Sequence, residues 1–265
     1  MVFNWKLLLL DYSGAKRPLL GILEIISATH AESHFRHELV IMAASSNPGI
    51  PVDEMKMTNR IMCFQRKQAD GCFALGNMFS QIDDRGDKAA KLYQHTCETY
   101  NHGPSCFYLS NYFFFARGEL RKDTKKFLEY AKKGCQYQCA GACMLLAAFF
   151  HPAHTRIPFR DDSDMKMKDF SKTVDYYEKA CQMNNSEGCV KAGSAYLYGA
   201  TNLNFDKNEA KALPYFIKAC ENGEGLGCAL AYRQYKDGLG VQADQKLAEL
   251  YSAKYENINR EKKRQ

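Results

Sequence analysis

The stretch Lys211–Tyr235, KALPYFIKACENGEGLGCALAYRQY, carries two cysteines eight residues apart, Cys220 and Cys228, with an apolar stripe on each side. Leu213 and Phe216 lie seven and four residues before the first cysteine, on one helical face. Ala231 and Tyr235 follow the second at three and seven residues, again on one face. The polar, glycine-bearing NGEGLG between them reads as a turn. The stretch therefore predicts a helical hairpin: helix A ends at the first cysteine and helix B starts at the second.

The same arrangement recurs upstream at Cys63 and Cys72, Cys97 and Cys106, Cys135 and Cys143, and Cys181 and Cys189. The first members step along the chain by 34, 38, 46 and 39 residues, and such a period marks a stack of helical hairpins. Three residues after each second cysteine stand Leu75, Leu109, Leu146, Ala192 and Ala231; seven after stand Phe79, Phe113, Phe150, Tyr196 and Tyr235. The small Gly76, Ser110, Ala147 and Gly193 at the fourth position leave room for a neighbouring helix, and only Tyr232 breaks that rule. Before the first cysteines, Ala90 with Tyr93, Leu128 with Ala131, and Val174 with Tyr177 repeat the upstream stripe. Polar connectors separate the hairpins; one of them places Asp244 as an N-cap. The longest, HPAHTRIPFRDDSDMK over residues 151–166, accounts for the 46-residue step.

With 265 residues, 46% hydrophobic and 25% charged, the chain is long enough for a large apolar core. A net charge of +6, spread along the chain, gives no case for nucleic acid. Charges interrupt every apolar run before the roughly 20 residues of a membrane span. Residues 1–50 are expected to be an N-terminal extension, flexible or targeting, because Asp11 and Glu24 break its apolar runs. The solenoid is expected over 51–256, with a basic tail over 257–265.

Eleven cysteines in such a chain are too few for a miniature disulfide scaffold, so their spacing carries the information. Positions eight or nine apart across an antiparallel turn can bring Cα atoms within the roughly 4.4 to 6.8 Å of a disulfide. Metal binding and buried thiols compete with that reading. The spacing is wider than in zinc pairs and no histidine recurs at a fixed offset, so five hairpin disulfides are favoured and no metal site is expected. They imply an oxidising compartment. Cys139, four residues from both Cys135 and Cys143, is left over as a possible free thiol able to exchange with a client.

GCFALGNMF, KTVDYYEKACQMNNSEGC, NEAKALPYFIKACENGEGLGC and YKDGLGVQADQKLAELYSAKY resemble the Sel1-like repeat family. More narrowly, the chain is similar to the family's cysteine-rich (Hcp-type) branch, in particular to its mitochondrial cytochrome c oxidase assembly factors. The resemblance covers about residues 51–256. It implies an all-α, right-handed α-solenoid of about five TPR-like hairpins stapled by disulfides. It also implies a place in the mitochondrial intermembrane space and a role in building respiratory complex IV. The expected partner is a protein client on the solenoid surface, bound by a monomer without nucleic acid or membrane span.

The bacterial side of that branch carries a penicillin-binding or β-lactamase label and suggests a secreted alternative. Its chemistry needs Ser-x-x-Lys together with Ser-Asp-Asn and Lys-Thr-Gly elements. The chain has Ser13 to Lys16 but neither other element, so no catalytic residue is expected. His30, His34 and His37 share a helical face, and His151 and His154 lie in the long connector; both groups read first as solvated surface. No cofactor is required, and haem binding has no specific motif behind it. Tyr108, Tyr112, Phe114 and Phe115 exceed what one stripe needs and are read as core before a peptide or haem patch.

Overall fold

The computed structural model describes residues 51–152 and 167–264. They form eleven α-helices: α1 (Val52–Arg60), α2 (Ala69–Gln81), α3 (Gly86–Tyr100), α4 (Gly103–Phe115), α5 (Thr124–Gln136), α6 (Ala140–Phe150), α7 (Phe170–Gln182), α8 (Ser186–Tyr198), α9 (Glu209–Glu221), α10 (Gly225–Asp237) and α11 (Gln245–Lys262). The π turn Ile61–Gln65 continues α1. Hairpins α1–α2, α3–α4, α5–α6, α7–α8 and α9–α10 follow one another, each second helix packs on the first helix of the next hairpin, and α11 closes the stack.

The helices overrun the expected boundaries. The first helices α3, α5, α7 and α9 continue past their cysteines, the π turn after α1 contains Cys63, and each second helix starts three residues before its own. Gly103 and Pro104, read from sequence as turn, are the first two residues of α4, where the proline's missing N–H costs nothing. The turns shrink to two or three residues, each with one left-handed residue: Lys67, Asn101, Gln138, Asn184 or Gly223. Likewise α11 runs through the boundary expected at 256, with Ile258 packed on the last core cluster.

Side-chain caps set where α5, α7, α9 and α11 begin. Asp123, Asp169, Asn208 and Asp244 accept the backbone N–H of Lys126, Lys172, Lys211 and Leu247 at 3.0–3.1 Å. Each such cap stabilises its helix by about 1 kcal/mol. On the other side, His102 Nδ1 accepts from the Ser105 N–H and so caps α4.

The disulfides Cys63–Cys72, Cys97–Cys106, Cys135–Cys143, Cys181–Cys189 and Cys220–Cys228 join the last turn of one helix to the first turn of the next, with Cα atoms 4.4–4.9 Å apart. So close a crossing leaves little room for the flanking side chains. The residue before the second cysteine is Gly71, Ser105, Ala142, Gly188 or Gly227, buried in every hairpin. A Cβ on Gly188 would lie 2.8 Å from that of Ala180, and one on Gly227 2.6 Å from that of Ala219.

Between hairpins the contact is apolar. Tyr93, Phe127, Phe149 and Phe216 are among the largest fully buried side chains. Tyr93 lies directly on Gly76 and Phe216 on Gly193, where an added Cβ would meet ring carbons at 2.7 and 2.6 Å. The expected stripe residues Leu75, Leu109, Leu146, Ala192 and Ala231 are all buried.

Replacing Cys181 and Cys189 together by Ser should lower the unfolding free energy by about 2.5 kcal/mol, read from the urea midpoint. Gly188→Val should cost about 1–3 kcal/mol by overpacking the crossing. Gly141→Ala, where an added Cβ meets only the Phe107 ring at 3.6–3.7 Å, should be neutral or stabilising.

Candidate interaction surface

The register of the stack places a ring seven residues after each second cysteine against a ring five residues before the next first cysteine. Phe113–Tyr130, Phe150–Tyr176 and Tyr196–Tyr215 stack with centroids 5.6–5.8 Å apart and planes within 5–11° of parallel. Tyr235–Tyr251 repeats the pair against α11 at 5.6 Å, although no cysteine follows Tyr251. Lysines border the row. Lys126, Lys172 and Lys211, nine residues before their cysteines, stand over Phe113, Phe150 and Tyr196 at 5.1, 5.7 and 4.0 Å. Lys133, Lys179 and Lys254 stand over Tyr130, Tyr176 and Tyr251 at 5.0–5.1 Å. Such contacts contribute about 0.5–1 kcal/mol each where exposed.

Carboxylates interleave with the rings. Tyr130 donates to Glu98 at 2.6 Å, while Tyr196 and Tyr215 both donate to Glu178, at 2.7 and 2.6 Å. Lys211 pairs with Glu178 at 3.3 Å and also donates to the Tyr196 hydroxyl. Burial, reinforced by the carboxylate each one bonds, pushes the Tyr130 and Tyr215 phenols well up, so both stay neutral donors. Burial alone would raise the Glu178 carboxyl, but the bonds from Tyr215, Tyr196 and Lys211 outweigh it and hold the group below its usual range.

The first junction departs from this pattern. Phe79 occupies the usual ring position, but five residues before Cys97 the chain has Leu92. A cleft of about 740 Å³ opens there, lined by the buried Leu75 and Leu92, by Phe79 and by the exposed Phe64. Its rim holds the cations Lys56, Arg60, Arg85, Lys88 and Lys91 and the single acid Asp83. Lys56 and Lys88 approach the Phe79 ring at 5.2 and 5.4 Å.

Cys139 lies outside the five disulfides, as the N-cap residue of α6 and not within a helix. It is half-buried, with its Cβ toward Gly103 at the start of α4. The expected aromatic excess divides. Tyr112 is buried and donates to Ser80 at 2.7 Å, whereas Tyr108, Phe114 and Phe115 are half-buried among other rings. The His151 ring packs edge-on against Phe170 at 5.5 Å. Ser13, Lys16, His30, His34, His37 and His154 lie outside the described residues. Among the described residues no group of three or more His, Cys, Asp or Glu is placed to hold a metal ion, and no helix is long and apolar enough to cross a membrane. The stacked pairs and their lysines were not anticipated; rings at both offsets from the cysteines were the available signal.

No family model matches the chain. Cytochrome c oxidase assembly factor 7 of Mus musculus is 30% identical over 216 residues, covering 80% of this chain and 90% of the relative. The Homo sapiens protein of that name gives the same identity and coverage. The chain belongs to the cytochrome c oxidase assembly factor 7 family. Its fold is that of Sel1 repeats: a Sel1 repeat protein from Oxalobacter formigenes superimposes with a TM-score of 0.53 at 16% identity, covering 88% of this chain and 83% of the other. Within the assembly factor 7 family, this member can be tested through its Glu178 network. A carboxyl depressed on folding stabilises above its unfolded value, near 4.5, and loses that contribution as pH falls through the folded value. The stability difference between wild type and Glu178→Gln should therefore shrink as pH is lowered from about 6 to 3, measured by chemical denaturation.

Proposed function

We propose that the chain is a non-enzymatic assembly factor for cytochrome c oxidase, acting in the mitochondrial intermembrane space. It would work as a monomer without a cofactor, binding a client or assembly partner on the surface of its hairpin stack. The observation that carries this reading is the extent of the match: the aligned residues take in 90% of a relative named for cytochrome c oxidase assembly. Five hairpin disulfides support an oxidising compartment. The part-exposed rings Tyr176, Tyr196, Tyr215 and Tyr235 with the exposed Lys172, Lys179 and Lys211 beside them support recognition of a polypeptide, since such faces combine aromatic area with charge for register.

Deleting the gene should reduce assembled complex IV on native gels, leave the other respiratory complexes at a higher level, and be reversed by the wild-type chain. Protease protection should place the protein between the two mitochondrial membranes; a matrix, cytosolic or secreted location would overturn the reading. Cys139→Ser should rescue as wild type does. Failure of that variant alone, with the five bridges intact by mass mapping, would move the function to thiol–disulfide exchange.

A further inference from the structure

Three junctions between successive hairpins, and the junction with α11, are closed by a ring pair, and the second ring always comes from the incoming helix. At two of them a carboxylate holds that second ring's hydroxyl: Glu98 for Tyr130 and Glu178 for Tyr215. The first junction has the first ring, Phe79, and the bordering lysine, Lys88, which stands nine residues before Cys97 as Lys126 does before Cys135. Leu92 replaces the second ring, and both it and Phe79 line the cleft of about 740 Å³. A second ring and its carboxylate are what this rung lacks.

The charge around the cleft is also unbalanced. Lys56 is paired with Asp83 and Arg85 with Asp87, but Arg60, Lys88 and Lys91 have no ion pair among the described residues. Apolar side chains on the same hairpin face water: Phe64 is 60% exposed and Met57 57%. We infer that the cleft is a docking site for a partner polypeptide segment that presents an aromatic side chain flanked by Asp or Glu. The incoming ring stacks on Phe79 as Tyr130 stacks on Phe113, and the flanking carboxylates meet Arg60, Lys88 and Lys91. A recessed floor with Leu75 and Leu92 buried suits a single ring and its neighbours better than a flat lipid surface.

The inference rests on the interaction-scaffold reading and deepens it. Its test needs no mitochondria, so its failure leaves the complex IV phenotype standing. Full-length oxidised protein is titrated into a fluorescein-labelled peptide, Glu-Asp-Glu-Phe-Glu-Asp-Glu, and followed by anisotropy. Binding should weaken at least about tenfold when the peptide's Phe becomes Ala, and should fall as salt rises. The exposed pair Lys88→Glu with Lys91→Glu should weaken it by a similar factor, with the five bridges and the helical signal retained. Leu92→Tyr, which supplies the missing ring, should abolish binding; should that variant not fold, the lysine pair carries the test. No binding by the wild type, equal affinity for the Ala peptide, or indifference to the double charge reversal would overturn the inference. So would binding to phosphatidylglycerol vesicles that survives the double reversal while the peptide fails to bind.

Discussion

The close crossing at each disulfide is the constraint from which the rest of the structure follows. Two helix ends held with Cα atoms 4.4–4.9 Å apart cannot both carry large side chains beside the sulfurs. The chain meets that condition with facing pairs: Met62 and Gly71, Thr96 and Ser105, Gly134 and Ala142, Ala180 and Gly188, Ala219 and Gly227. In four of the five pairs one member is glycine, and the remaining pair is Thr96 with Ser105. A bridge over so short a loop acts chiefly on the unfolded chain, by about 2.5 kcal/mol. It leaves the apolar faces of both helices available to the neighbouring hairpins. The core therefore forms between hairpins, where Tyr93 lies on Gly76 and Phe216 on Gly193.

The same register produces the surface. With the crossing fixed, the residue seven beyond the second cysteine and the residue five before the next first cysteine must meet at the junction. Rings at both places stack, and at three junctions the lysine one turn before the second ring reaches over the first. Stacked rings contribute about 0.5–1.5 kcal/mol beyond their buried area. The row thus helps hold successive hairpins together: Phe113, Tyr130, Phe150 and Tyr251 are buried, while the ammonium groups of Lys126, Lys172 and Lys211 stay exposed. Glu178, gathering two phenols and an ammonium, shows how a carboxylate is accommodated in such a row. The first junction shows what remains when one ring is withheld.

Most of this architecture was legible from cysteine spacing and the stripes beside it, because both report the helical repeat directly. The helix ends were less legible, since Gly103 and Pro104 signal a turn by composition yet act as first-turn residues of α4. Of the four first-helix caps, Asp244 was read and Asp123, Asp169 and Asn208 were not, although all three stand twelve residues before their cysteines. Cys139 was placed by counting residues from its neighbours, but the left-handed Gln138 puts it in the turn before α6. The ring pairs were the least legible. Residues such as Tyr130 and Phe113 both look like core, and only their three-dimensional register makes them partners.

A stack of this kind couples its bridges to its surface. In a repeat array stability is a sum of local units and the interfaces between neighbours, so a hairpin that opens also releases the junctions it shares. In the hairpin bridged by Cys181–Cys189, such an opening separates α7 from α8. Tyr176 on α7 belongs to the pair with Phe150, and Tyr196 on α8 belongs to the pair with Tyr215. Glu178 would lose Tyr196 and Tyr215 together, leaving a half-buried carboxylate without its two phenol donors, the costly side of breaking a hydrogen bond. One opened hairpin therefore disturbs two rungs and one half-buried network. By disfavouring such openings relative to the folded stack, the bridges help keep the rows of rings intact.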